Sequence, residues 1–403
     1  MISNRFGCIR IPQYGRVLLT TLIIFLIATS CASLKQRNPV PEALSETAKV
    51  PGIQNARMWG DAPPSYADRW LRMPRDELKA IFPALMGAEH NYLAISGGGA
   101  NGAFCAGLLS GWSEAGNRPD FSIVTGISTG ALAAPFAFLG PSYDARLKEI
   151  YTTHSTKDLI RNRQLVGALT SDSAVSAEPM KTLIAKYYDR KVIDDIAAEH
   201  LKGRRLLIGT TNLDSGRPVI WSIGYIAASG NPDRGDLIRQ ILLASASIPA
   251  VFPPVYIKVE AGGQGYEEMH VDGGTASQVF LFPSGFDVRP ALTKLEVKGT
   301  PNVYVIRNSR LSAEWVTVKP WIVPIAGRSI ASLIRTQGIG DMYRIYLGAR
   351  RDKLNYHLAI IPEDFEVIPK EMFDPEYMGK LFDLGYKMAE PGYPWRKAPP
   401  GFE

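Results

Sequence analysis

The sequence predicts an α/β protein with a largely parallel central sheet. Twice in succession, a short apolar run leads into a glycine-rich turn and then into a segment with helical periodicity. The first unit has its strand at residues 92–95 and its glycines at 97–102, and the second has its strand at 121–125 and its turn at 126–130. Repeated strand–turn–helix units are typical of parallel sheets, because the helix returns the chain to the edge from which the next strand starts.

The rest of the chain extends this pattern. Further elements are expected as helices and a strand over 175–212, a hairpin partner over 218–223, strands over 302–306 and 354–361, and helices over 329–351 and 374–388. No linker separates the C-terminal part from what precedes it. We therefore expect a signal peptide over residues 1–30, a tether and surface segment over 31–86, a main domain over 87–300 and a C-terminal extension of the same domain over 301–403.

Composition excludes several classes of function. With 403 residues, 46% of them hydrophobic, the chain can bury a substantial core. The net charge is +6, and three of these charges, Arg5, Arg10 and Arg16, lie in residues 1–30, which hold no acid. The remainder carries about +3 without a basic run or nucleic-acid motif, so we expect no nucleic-acid partner.

Cysteine and histidine usage gives no sign of a metal centre. Cys8, Cys31 and Cys105 form neither a disulfide framework nor a zinc pattern, and the five histidines are scattered. We expect no metal and no cofactor. Cys105 lies on the apolar face of a predicted helix and fits a core position better than a nucleophile.

Residues 1–30 have the three parts of a secretory signal peptide. A start with three arginines is followed by the apolar run from Val17 to Ala28, and small residues then lead to Cys31. The apolar run is shorter than the roughly 20 residues that a membrane-spanning helix needs. Export is therefore favoured over a permanent transmembrane anchor.

The end of this segment, Ala28-Thr29-Ser30-Cys31, resembles the lipobox of bacterial lipoproteins, in which the cysteine is lipidated and becomes the mature N-terminus. It departs from that pattern at Ala28, where leucine is usual. Cleavage without lipidation, which would give a soluble periplasmic protein, is the alternative. We expect lipidation at Cys31, and Ala32 in place of Asp favours the outer membrane by resemblance to the sorting pattern of Gram-negative lipoproteins.

Residues 126–130, Gly-Ile-Ser-Thr-Gly, match the nucleophile elbow GxSxG. A serine on a strained turn between strand and helix projects its hydroxyl, and the amides at the helix start can hold an oxyanion. The weaker alternative is that Ser128 is the N-cap of an inert helix. The position of the motif between a predicted strand and a predicted helix favours the elbow.

The glycine loop at residues 97–102 has two interpretations. It satisfies the dinucleotide pattern GxGxxG, which expects an acid about twenty residues on, at the end of the next strand. Asp120 lies before that strand instead, and the strand leads to Ser128. An oxyanion loop, whose bare amides stabilise a tetrahedral intermediate, is the better fit.

Two downstream segments complete the group of motifs that bear on catalysis. Residues 244–254 end a small-residue helix in a proline-rich loop, and Asp272-Gly273-Gly274 places an acid before a sharp turn. Taken alone, Asp-Gly-Gly is most often a plain turn. In this order, however, the glycine loop, the elbow and these two segments resemble the motifs of the patatin family over roughly residues 90–290.

The resemblance implies a three-layer α/β/α sandwich and a lipid acyl hydrolase that works at a membrane surface on phospholipids, lysophospholipids or neutral acylglycerols. It implies a Ser–Asp dyad without histidine, in which Ser128 is the nucleophile and Asp272 the base. The residues that would line the oxyanion hole are Gly97, Gly98, Gly99 and Gly102. One position departs from the family, which often has Lys or Arg where this chain has Asn101.

A Ser–His–Asp triad is the commonest way to activate serine, and His270 lies two residues before Asp272. In the usual hydrolase order the acid precedes the histidine. Only His357, within a strand-like alternation, follows Asp272, so we favour the dyad.

We therefore expect a serine acyl-ester hydrolase of lipids in the bacterial cell envelope. The rival is a non-enzymatic envelope lipoprotein that binds lipid or a protein partner, against which the intact Ser128 and Asp272 count. Candidates to line an acyl-binding cleft, each equally suited to the core, are Phe252, Phe280, Leu281 and Phe282.

Overall fold

The structure, a computed structural model, describes residues 37–64, 66–162, 175–249, 251–283, 285–313 and 315–402. The predicted signal peptide and the predicted lipidation site, Cys31, lie outside these residues. Within the described part, no helix combines the length and apolar character that crossing a membrane requires.

The main sheet has nine strands within the described residues. The strands in chain order, including the separate ribbon β4–β5, are β1 (Arg57–Trp59), β2 (Asn91–Ile95), β3 (Ile123–Ile127), β4 (Arg161–Asn162), β5 (Val175–Ser176), β6 (Arg205–Asn212), β7 (Arg217–Ser222), β8 (Val255–Ala261), β9 (Gln264–Asp272), β10 (Asn302–Arg307) and β11 (Asn355–Ile360). The order across the sheet is β1-β7-β6-β3-β2-β10-β11, with β9 paired to β6 and β8 to β9. The five strands from β6 to β11 in this order run parallel.

Helices cover both faces of the sheet. In chain order they are α1 (Ala67–Arg72), α2 (Arg75–Ile81), α3 (Gly102–Glu114), α4 (Thr129–Leu139), α5 (Asp144–Thr152), α6 (Thr156–Leu159), α7 (Glu178–Tyr187), α8 (Arg190–Leu201), α9 (Ile223–Ala228), α10 (Arg234–Ser245), α11 (Arg289–Lys294), α12 (Ile322–Arg351) and α13 (Pro375–Ala389). Most of them, including α3, α4 and α13, pack on one face, whereas α12 packs on the other.

The alternation of side chains along β2 shows why the sheet needs two helical layers. Leu93 and Ile95 belong to the core beneath α3 and α4, while Tyr92 and Ala94 belong to the core beneath α12. Because successive side chains of a strand point to opposite faces, a strand that is apolar throughout must be covered on both sides. The predicted three-layer α/β/α sandwich with a mostly parallel sheet is confirmed.

Two elements differ from the sequence-based expectation. Residues 57–59, within the segment expected to be a tether and surface segment, form β1 and pair antiparallel with β7. The long helix α12 begins at Ile322, not near Ser329. Pro324 falls in its first turn, where a missing amide is tolerated because helix amides there have no partner inside the helix.

Candidate active site

Ser128 lies on a strained turn at the carboxyl end of β3, immediately before α4. Its backbone has φ 54° and ψ −123°, a conformation that is rare for a residue with a side chain. The flanking glycines permit it, because a Cβ at Gly126 would lie 2.3 Å from the Gly130 oxygen and one at Gly130 would lie 2.4 Å from the Ile95 oxygen. The turn is therefore a nucleophile elbow in its geometry as well as in its sequence.

Asp272 reaches the same edge of the sheet from a strand that runs the other way. It ends β9, which pairs antiparallel with the carboxyl end of β6, and Asp272 stands opposite Thr210. Its amide donates to the Ser247 oxygen at 2.9 Å, and its Oδ1 accepts from the Gly274 amide at 2.7 Å. Gly274, two residues after the acid, thus fixes the orientation of the Asp272 carboxylate.

The Ser128 hydroxyl lies close enough to the Asp272 carboxylate to lower its pKa. Both side chains are almost fully buried, Ser128 with 7% and Asp272 with 5% of its surface exposed. Burial is the larger effect and raises the pKa of Asp272 to about 6, against the opposing influence of Ser128 and of the hydrogen bond from the Gly274 amide. A carboxylate with a pKa near neutrality is better suited to accept a proton than an ordinary aspartate.

Two serines of the 244–254 segment hold this pair in place. The Ser245 hydroxyl accepts from the Ser128 amide at 3.0 Å and donates to the Gly209 oxygen of β6 at 2.7 Å. Ser247 supplies the carbonyl that binds the Asp272 amide, and its own hydroxyl caps the Leu243 oxygen. One short segment therefore fixes the backbone of both Ser128 and Asp272.

The glycine loop lies against the elbow. A Cβ at Gly97 would be 3.3 Å from the Ser128 Cβ, and one at Gly102 would be 2.2 Å from Thr129 Oγ1. The Gly97 amide donates to the Gln278 oxygen, and the Gly102 amide to oxygens of its own turn. Among the described residues, the amides of Gly98 and Gly99 have no acceptor.

Asn308, just after β10, clamps this loop. Its amide donates to Ser96 Oγ at 2.9 Å and its side-chain amide donates to the Ser96 oxygen at 3.0 Å. Gly98, with φ 157°, passes so close to Asn308 that a Cβ there would lie 2.4 Å from the Asn308 oxygen. The two amides without acceptors are thus held by a residue of the C-terminal extension.

His270 is bound in a separate buried network. Its Nδ1 lies 2.9 Å from Thr210 Oγ1, and its Nε2 lies 3.1 Å from Glu268 Oε2. Burial lowers the pKa of His270 despite the neighbouring Glu268 carboxylate, which also forms an ion pair with Arg57. Both ring nitrogens are therefore engaged, and neither is placed to take a proton from Ser128.

The other histidines are also paired with groups outside the dyad. The contacts are His90 with Tyr92 and the Leu85 oxygen, His154 with Tyr187, His200 with Arg205, and His357 with Asn302 and Lys397. Cys105 is buried, and burial raises the pKa of its thiol to about 12. The Ser128–Asp272 pair thus has no histidine in contact with it.

Comparison with known proteins bears on this geometry. The sequence model of the patatin-like phospholipase family matches residues 93–283, which contain the glycine loop, Ser128 and Asp272. Residues 93–283 are a patatin-like phospholipase domain. The family consists of lipid acyl hydrolases, and the domain is of this general class.

A likeness to one solved structure, VipD from Legionella pneumophila, is weak. Sequence identity is 14%, the match covers 75% of this chain and 66% of that chain, and the TM-score is 0.35. The match therefore spans just under two thirds of the VipD chain, and the likeness is too low to support an argument about function. No curated protein sequence matches the chain significantly.

The patatin-like domain has an apolar cavity at Ser128. Besides Ser128 and Gly99, its walls include Leu132, Met180, Ile184, Phe252, Phe373 and Met378. Of the four side chains considered for an acyl-binding cleft, Phe252 lies here. Phe280, Leu281 and Phe282 instead line cavities on the α12 side of the sheet, because the chain crosses to that face after Asp272.

Several residues that build the site were not singled out by the sequence. They are Ser245, Ser247, Gln278 and Asn308. Each acts through hydrogen bonds in which a backbone group takes part. Ser245 and Ser247 lie in the 244–254 segment, but the sequence did not show their roles, and glutamine and asparagine in loops carry no distinguishing pattern. The one available signal was that all four follow or end a strand or helix at the edge of the sheet where Ser128 lies, which we call the catalytic edge.

Proposed function

We propose that this chain hydrolyses acyl esters of membrane lipids by a Ser128–Asp272 dyad. The observation that carries the proposal is that Ser128 on its strained elbow and the buried Asp272 meet at the same edge of the sheet, while both ring nitrogens of His270 are bound elsewhere. Asp272 takes the proton of Ser128 Oγ as this oxygen attacks the ester carbonyl carbon. The free amides of Gly98 and Gly99 are the favoured donors to the oxyanion, since those of Gly97 and Gly102 already have acceptors.

The remaining steps use the same groups. Collapse of the tetrahedral intermediate breaks the ester bond, and the proton on Asp272 passes to the departing alcohol oxygen. Asp272 then removes a proton from water, which attacks the acyl-serine carbonyl carbon, and returns this proton to Ser128 Oγ as the fatty acid is released. The cavity around Leu132, Phe252 and Phe373 would hold the acyl chain, because its walls are apolar where they leave Ser128.

Labelling with a fluorophosphonate probe tests the proposal, because only an activated serine reacts. We expect the wild-type chain to label, and Ser128→Ala and Asp272→Asn to fail while remaining folded by circular dichroism. Ser110→Ala is the matched control, since Ser110 lies on α3 and bonds only to the Ala106 oxygen. A folded wild-type protein that does not label would favour the non-enzymatic lipid-binding alternative.

We propose further that the protein is an outer-membrane lipoprotein of a bacterium, acylated at Cys31. Support comes from the basic and apolar residues before Ala28-Thr29-Ser30-Cys31. Mass spectrometry of the mature N-terminal peptide decides the matter. A diacylglycerol-modified Cys31 is expected, and an unmodified peptide that starts elsewhere would leave a periplasmic enzyme.

A further inference from the structure

The side chains that the structure describes between residues 315 and 335 form an exposed apolar surface, and we call this stretch the interfacial segment. It comprises the loop before α12 and the first half of that helix. Trp315 is 95% exposed, Trp321 69% and Leu333 70%, and Val316, Ile325 and Ile330 are exposed as well. None of the residues described between 315 and 337 is buried. Soluble proteins rarely expose apolar side chains in such a group unless the surface binds something.

The interfacial segment projects beyond the catalytic edge of the sheet. Helix α12 has 30 residues and is about 45 Å long, whereas a six-residue strand such as β10 spans only about 20 Å. The helix packs on the sheet from Gly338 onward, where Asp341 accepts from the Gln278 amide at 2.7 Å. The half before Gly338 therefore extends past the edge at which Ser128 lies.

The base of the segment is tied to the wall of the Ser128 cavity. The chain enters the segment from Asn308, which clamps the glycine loop. The Arg310 guanidinium donates to the Phe365 oxygen, and Glu363 accepts from the Leu311 amide. These contacts join the segment to residues 362–374, which include Phe373 of the cavity wall. A surface bound by the segment would thus face the entrance of the cavity.

The chemistry of the segment fits a lipid bilayer. From Trp315 to Gly340 the sequence has no Asp or Glu and three bases, Lys319, Arg328 and Arg335. Tryptophan prefers the boundary between hydrocarbon and water, and clustered bases attract anionic headgroups. The adjoining residues 363–374 carry five acids and one base, so the apolar side chains contribute most of the affinity and the bases a local addition.

We propose that residues 315–335 dock the catalytic edge onto a phospholipid bilayer, with Trp315, Trp321 and Leu333 inserted at its interface. The segment lies on the bilayer and does not span it. The proposal rests on the proposed function, because a bilayer substrate reaches the Ser128 cavity from this side without passing through water.

The test uses vesicles of phosphatidylcholine and phosphatidylglycerol in equal parts, with the full chain carrying Ser128→Ala so that the lipid stays intact. We expect Leu333→Asp, and Trp321→Ser separately, to weaken vesicle binding about tenfold, since each removes one inserted apolar side chain. Leu201→Asp is the matched control. Leu201 is 67% exposed but ends α8, just before β6 starts at the opposite edge.

A second measurement is independent of any anchor at the N-terminus. Brominated phosphatidylcholine should quench tryptophan fluorescence, and the quenching should fall in Trp315→Phe/Trp321→Phe. In the active protein, Leu333→Asp should slow hydrolysis of vesicles and leave hydrolysis of a water-soluble short-chain ester unchanged.

Equal vesicle binding and quenching in Leu333→Asp and Leu201→Asp would overturn the docking proposal. So would a Leu333→Asp protein that changes its oligomeric mass in light scattering and keeps its vesicle affinity, because the surface would then join copies of the chain. If the wild-type chain hydrolyses no ester but its vesicle binding still depends on Leu333, docking stands and the proposed catalysis fails.

Discussion

Replacing Asp272 by asparagine should stabilise the fold while abolishing hydrolysis. The ionised Asp272 is fully buried, and its pKa of about 6 in the folded protein lies above its ordinary value of 3.8. That difference corresponds to about 3 kcal/mol by which ionisation of this carboxyl opposes folding at neutral pH. Asparagine keeps an oxygen for the Gly274 amide and carries no charge, so we expect a gain of about 1–3 kcal/mol.

The sign of the pH dependence is specific. Below the ordinary value of 3.8 the carboxyl is protonated in both the folded and the unfolded chain, and Asp272→Asn should confer no advantage. Between pH 3.8 and about 6 the unfolded chain loses this proton while the folded wild-type chain keeps it, so the stability advantage of the variant should grow over this interval. Above about pH 6 the folded chain has lost the proton as well, and the advantage should be complete. The kcat/KM of the wild-type enzyme should fall as pH drops through the same value, because only the ionised carboxylate accepts the serine proton.

Urea denaturation followed by circular dichroism, at about pH 8, 6 and 4, measures the stability difference. Asp374→Asn is a control of opposite sign. Asp374 caps α13 and accepts hydrogen bonds from backbone amides, of which that of Lys370 has the largest effect. These hydrogen bonds lower the pKa of Asp374, so losing its charge should destabilise the protein at neutral pH. An Asp272→Asn protein that is no more stable than wild type at about pH 8 would refute the assignment of Asp272 as a buried base whose ionisation opposes folding.

Four further substitutions test the residues around Ser128 and Asp272. Gly98→Ala should lower kcat about 10²–10³-fold because its Cβ would meet the Asn308 oxygen and displace an oxyanion donor. Gly99→Ala should lose less, because its Cβ meets open space and the only strain is that of a positive φ of 56°. Steady-state kinetics on a soluble ester distinguish the two variants. His154→Ala should keep most of the activity, although His154 lines the Ser128 cavity, and a loss of about 10⁴ in rate would instead indicate a triad. Ser245→Ala should cost about 1–3 kcal/mol in urea denaturation and also lower kcat, because the Ser128 amide and the Gly209 oxygen lose their shared partner. Unchanged stability and rate in that variant would show that the elbow does not depend on Ser245.

The sheet was predictable where its strands are apolar. β2 and β3 are apolar runs that lead into glycine turns, and the elbow is encoded locally by Gly126 and Gly130. The strand that carries Asp272 was not predicted, because β9 contains Glu267, Glu268 and His270 and so lacks the apolar alternation of a strand. Glu268 and His270 are buried there because Glu268 pairs with His270 and Arg57 while His270 also contacts Thr210, which is a property of the folded network and not of either residue.

The sequence also could not show which amides of the glycine loop are free to donate a hydrogen bond. The sequence presents Gly97, Gly98, Gly99 and Gly102 as equivalent. Only the fold distinguishes them, because the Gly97 amide is taken by the Gln278 oxygen, from a residue that is distant in the chain. Which amides stay free therefore depends on long-range pairing that no local pattern records.

The clamp by Asn308 on Ser96 means that the segment recognised by the family, residues 93–283, is not a unit that can be cut out. A chain ending at residue 300 would lose β10 and leave β2, in the middle of the sheet, with an open row of amides and carbonyls. It would also release the loop that presents Gly98. The boundary at which this protein can be shortened therefore lies beyond Asn308, although the residues that perform its proposed chemistry all precede residue 273.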